Sequence, residues 1–106
     1  MFRITRGKGF HVSFDNGYTV SVQFGTFNYC DNRDHNIGYS ATAESEAAEK
    51  GCINAETAVW GPDGAMIQFP DDSDQVQGWQ TVAQVLARLN WAASQPGTIA
   101  VKPVLH

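Results

Sequence analysis

The segment that most limits the fold is residues 10–24, FHVSFDNGYTVSVQF. Phe10, Val12 and Phe14 alternate with His11 and Ser13. Beyond Asp15-Asn16-Gly17, Tyr18, Val20, Val22 and Phe24 alternate with Thr19, Ser21 and Gln23. Period-two alternation on both sides of turn chemistry marks a β-hairpin. Its register follows from the faces. A two-residue Asn16-Gly17 loop sets Phe14 against Thr19 and mixes apolar with polar. A three-residue loop sets Phe14 opposite Tyr18, Val12 opposite Val20 and Phe10 opposite Val22. That register leaves one apolar face and asks Gly17 for a left-handed conformation. The short run FRIT, residues 2–5, is a candidate strand ahead of the hairpin.

A second hairpin is expected over residues 55–69, AETAVWGPDGAMIQF, turning at Pro62-Asp63-Gly64. Residues 81–94, TVAQVLARLNWAAS, predict the one helix. Thr81 and Gln84 form a T-x-x-Q capping box, Val82, Val85, Leu86, Leu89 and Ala93 make an apolar stripe, and Pro96-Gly97 ends it. The long connection 25–54 contains TAESEAAEK, suited to a helical turn or two, and the tail TIAVKPVL is an edge-strand candidate weakened by Pro103. The expected architecture is α+β: an antiparallel sheet built from two β-hairpins with one C-terminal amphipathic helix packed on it, in a single domain, residues 1–106. Val12, Val20, Val22, Leu86 and Leu89 are the expected core, and Trp79 is expected to fold back onto it.

Charge and composition narrow the function. The 106 residues are 42% hydrophobic and carry a formal net charge of -4, which argues against disorder and against wrapping polymeric nucleic acid or docking on an anionic membrane. No apolar run approaches the ~18 residues of a membrane span, and MFRITRGKGF has no apolar signal-peptide region. A cytoplasmic protein with Cys30 and Cys52 as reduced thiols is expected.

The loop that follows the first hairpin, FGTFNYCDNRDHN at 24–36, concentrates aromatics, amides and a cation. Asn28, Tyr29, Asn32 and Arg33 suit an organic anion: an aromatic face to stack on a base, amides for ring edges, and a guanidinium for a phosphate. Against this stands the general preference of loops for Asn and Asp, with Tyr29 packing on the core. Cys30, His35, Cys52 and His11 are metal-ligand types, but C-x4-H…C matches no compact zinc pattern, so no metal is expected. A Cys30–His35–Asp31 nucleophilic set has no local signature, and there is no G-x-S-x-G, phosphate-binding loop or dinucleotide fingerprint. The acidic run DDSDQVQGWQ lacks the glycine and glutamate of a calcium loop. Neither an enzyme nor a cofactor is implied. Trp91 falls opposite the helix stripe, beside Gln84 and Arg88. Trp91 and Arg88 are therefore expected at an interface, in a homo-oligomer or with a partner, unless the C-terminal strand covers them.

Together, GYTVSVQFGTFNYCDNRD, AETAVWGPDGAMIQF and VQGW followed by VAQVLARLNW resemble small proteins encoded by bacteriophages and prophages. In that group the loop reads G-x-x-N-Y-C-x-N-R, matched here by Gly25, Asn28, Tyr29, Cys30, Asn32 and Arg33. The resemblance covers most of the chain except residues 36–54. It implies a phage anti-defence protein in the host cytoplasm. One form is an oligomeric, non-catalytic sponge for a nucleotide-like immune signal, as in Thoeris or CBASS immunity. The other is an inhibitor that binds a host defence protein, as CRISPR inhibitors do.

Overall fold

The computed structural model describes residues 1–6, 8–35, 51–70 and 72–97, with the backbone alone for Asp34 and His35. The helical turns expected in 42–50 and the strand expected in 98–105 lie outside the described residues. Among the described residues five strands form one antiparallel sheet in chain order: β1 (Phe2–Ile4), β2 (Gly9–Ser13), β3 (Thr19–Gln23), β4 (Asn54–Trp60) and β5 (Gln77–Thr81). Among the described residues one α-helix, α1 (Val82–Ala93), packs on β3, β4 and β5, so the fold is α+β. Among the described residues no helix is long and apolar enough to cross a membrane.

The first hairpin has the register that its two faces require. Phe10 pairs with Val22 and Val12 with Val20. The Phe14 N–H donates to Tyr18 O at 2.8 Å, and Gly17 takes φ 92°. Asn16 does more than turn the chain. Its side-chain amide donates to Ala92 O at 2.7 Å and Gln95 O at 2.8 Å, tying the hairpin tip to backbone carbonyls at and just beyond the C-terminal end of α1.

The second hairpin is shorter than expected. Its turn closes through Gly64 N–H to Gly61 O and Gly61 N–H to Ala65 O, both 2.9 Å. The returning arm then makes only the Trp60–Met66 bridge and one bond, Ile67 N–H to Val59 O at 2.8 Å. β5 takes the rest of that edge, pairing with Asn54, Ala55 and Thr57. This fifth strand was not expected, because QGWQT has neither alternation nor β-branched residues before Thr81. Thr81 ends β5 and is also the N-cap of α1, with the capping box to Gln84 formed, so strand passes into helix without a loop.

The helix is turned relative to its apolar stripe. Val82 and Leu86 are 75% and 55% exposed, whereas Ala92 is fully buried and Val85 and Leu89 pack on Val20, Val22 and Val59. Ala92 lies roughly 80° round the helix from Val82 at about 100° per residue. Leu86 therefore stands outside the core, and Leu89 belongs to it. The cause is aromatic. Trp91 packs edge-on against Phe69 (centroids 4.8 Å apart) and Tyr18 (5.6 Å). The Arg88 guanidinium lies 3.8 Å over the Phe69 ring and pairs with Asp72. Hydropathy counts this side of the helix as polar, but Phe69, delivered by the second hairpin, covers it within the same chain. Val82 and Leu86 instead line an apolar groove of about 500 Å³ with Phe10, Phe24 and Ile53.

Candidate functional site

Beyond β3 the chain folds into a compact loop held by side-chain amides and carboxylates. Asn28 Oδ1 accepts from the Gly25 N–H at 2.9 Å, and its Nδ2 donates to Glu56 at 3.4 Å. The other Glu56 oxygen accepts from the Tyr29 N–H at 2.9 Å, and Asn54 Oδ1 accepts from the Asp31 N–H at 2.8 Å. Asn32 is buried and donates to Phe24 O at 2.6 Å. The loop is thus anchored to β4 and to the end of β3. Of the four residues expected at a ligand, Asn28 and Asn32 have amides engaged inside the loop, while Tyr29 and Arg33 reach the surface.

The missing member is Trp79. Sequence reasoning placed it in the core, yet it is 47% exposed and stacks on Tyr29, itself 45% exposed, with centroids 5.9 Å apart and planes 24° from parallel. Three backbone features hold it there. Gly78 and Trp79 together oppose Glu56, a bulge in the β4–β5 ladder. Trp79 adopts φ 49°, a left-handed conformation that a bulky side chain rarely takes. The Trp79 N–H, released from the ladder, donates to Tyr29 O at 2.7 Å. Backbone strain of this kind costs about 1–3 kcal/mol and persists where surrounding structure enforces it, often at functional sites. One signal was available in the sequence: a glycine inside a strand points to a bulge or a close backbone approach. A Cβ on Gly78 would lie 2.5 Å from that of Tyr29.

Two cations complete the ledge. Arg33 sits 4.9 Å over the Tyr29 ring and donates to Phe27 O at 2.8 Å. Lys8 lies 4.9 Å over the ring of Phe27, which is 49% exposed. Comparison with protein families, curated proteins and solved structures finds no match.

The chemistry of the ledge suits binding. Cys30 is buried and donates to Gly25 O at 3.4 Å. Burial, with Cys52 close by, pushes its thiol up to about 11, so at neutral pH it is a protonated packing group and a poor nucleophile. Cys52 donates to Asn54 Oδ1 at 3.6 Å. Among the described residues no three His, Cys, Asp or Glu side chains gather to hold a metal, and His11 faces Trp60 instead. The His35 side chain lies outside the described set.

Proposed function

We propose that the protein is a non-catalytic binder of a nucleotide-like anion, held at the Tyr29–Trp79 ledge with Arg33 as its phosphate contact. The observation that carries this reading is Trp79, kept half exposed and stacked on Tyr29 by a bulge and a strained backbone. Aromatic faces stack on bases with about 1–3 kcal/mol each, and a guanidinium hydrogen bond to phosphate contributes on the order of 1.5–3 kcal/mol. In the phage setting that the resemblance implies, such a binder acts as a sponge, withdrawing an immune signal from the host cytoplasm. The test is thermal stability with cyclic nucleotides and ADP-ribose derivatives. A cognate ligand at ~100 times its dissociation constant stabilises the fold by about 2.7 kcal/mol. Arg33→Ala and Trp79→Ala remove that shift while the free protein stays folded. A flat panel favours the second reading, a protein-binding inhibitor of a host defence effector. Its support is that Tyr29, Trp79 and Arg33 are the residue types that anchor protein interfaces.

A further inference from the structure

The helix covers one face of the sheet, and the opposite face carries a second group of binding chemistry. Alternation places Arg3, His11, Thr19 and Trp60 on it. Arg3 lies opposite His11 across β1–β2, and Thr19 opposite Trp60 across β3–β4. The His11 and Trp60 rings are diagonal neighbours over β3, with centroids 5.8 Å apart at 46°. They flank Ser21 and Ala58, which are 6% and 7% exposed on a face that carries no helix among the described residues. Two turns wall the end of this face, where a Cβ on Gly17 would lie 2.9 Å from that of Pro62. Rings and turns border an open hollow of about 400 Å³, lined by Arg3, His11, Thr19, Trp60 and the Gly61–Gly64 turn.

The hollow opposes the charge of the whole molecule. The chain has a formal charge of -4, yet among the described residues no acidic side chain lines it. Asp63 in the adjoining turn is engaged, its Oδ1 accepting from the Ala65 N–H at 3.0 Å. Among the described residues the Arg3 guanidinium and the His11 imidazole have no hydrogen-bond partner. The positive field is felt inside: burial, and then the Arg3 charge, push the imidazole below its ordinary pKa. A neutral imidazole keeps one N–H to donate. A volume near the low end of ligand cavities fits a single ring with one substituent better than a dinucleotide.

We propose that this hollow binds a small planar anion, a ring bearing one carboxylate or phosphate, with the ring on Trp60 and the anionic group between Arg3 and His11. The site shares no residue with the Tyr29–Trp79 ledge and stands whether or not that ledge binds a ligand. The test titrates the full chain with AMP, indole-3-acetate, adenosine and inorganic phosphate, followed by heteronuclear NMR. The Trp60 indole N–H and the His11 and Thr19 amides are expected to shift saturably with AMP or indole-3-acetate. The tighter of the two identifies phosphate or carboxylate as the preferred group. Adenosine and free phosphate each bind at least roughly tenfold more weakly, since each lacks one of the two contacts. Arg3→Ala weakens binding by roughly tenfold, and Arg3→Gln, which keeps most of the stem, gives the same loss. Arg3 is exposed, so both variants fold. Arg33→Ala leaves these shifts unchanged. The proposal is overturned if neither acid gives saturable shifts at these residues at millimolar concentration, if adenosine binds as well as AMP, or if Arg33→Ala rather than Arg3→Ala abolishes the shifts.

Discussion

Replacing Gly78 with alanine adds one methyl group where β5 touches the loop. The new Cβ would meet Tyr29 Cβ at 2.5 Å and Tyr29 O at 3.1 Å. Neither neighbour can rotate away. Tyr29 O accepts the Trp79 N–H, and the Tyr29 N–H is held by Glu56. Loop and strand must therefore separate. Overpacking of this kind costs about 1–3 kcal/mol. Losing the Trp79–Tyr29 hydrogen bond adds ~0.5–1.5 kcal/mol. Gly78 is not in the left-handed region, so alanine returns ~0.4–1 kcal/mol by restricting the unfolded chain. The net cost is about 1–3 kcal/mol, a fall in Tm of roughly 5–20 °C for a domain of this size. Thermal unfolding by circular dichroism measures it. The near-ultraviolet signal of the Tyr29–Trp79 stack should also disappear well below the transition, which a general loss of stability would not cause. A Tm within ~1 °C of wild type with that signal intact would refute the reasoning.

Asn16→Ala removes both hydrogen bonds to the end of α1 and should cost about 1–3 kcal/mol in urea unfolding; an unchanged midpoint would show that the hairpin tip does not anchor the helix. Leu89→Ala should cost about 2 kcal/mol and Leu86→Ala less than ~1 kcal/mol, and equal losses would return the helix to the orientation of its apolar stripe. The Cys30 thiol titrates later in the fold than in the unfolded chain. Its contribution is therefore complete below the ordinary thiol pKa and is lost as pH rises toward about 11. Cys30→Ala should flatten that alkaline limb of the stability profile, and superimposable limbs would count against a buried, protonated thiol.

The hairpin around Asn16-Gly17 was legible because alternation, turn residues and face purity all demand one register. The N-terminus of α1 was legible because Thr81 and Gln84 form a local, reciprocal pair. Local signals end there. β5 carries a glycine and a bulge in place of alternation, and only its partner β4 makes it a strand. The side of the helix that packs depends on where Phe69 arrives, which no helical periodicity records. In the loop, composition marks useful side chains but not their direction. Glu56 and Phe24 draw Asn28 and Asn32 inward, and Trp79 joins Tyr29 from fifty positions away in the chain.

The seamless passage from β5 into α1 makes the junction a beam with no slack. One residue, Gln80, separates Trp79 from the cap at Thr81. A torsional change at the strained Trp79 has no loop in which to dissipate before it reaches the first helical turn. The Gln84 N–H, donated to Thr81 Oγ1 at 3.2 Å, is therefore a reporter of the ledge. A ligand that clamps Trp79 should slow hydrogen exchange at that amide, although it touches nothing on the helix. Val82 and Leu86, on the apolar groove, ride on the same turn. Ledge and groove thus share one stiff connection, the Trp79–Thr81 segment and the first turn of α1.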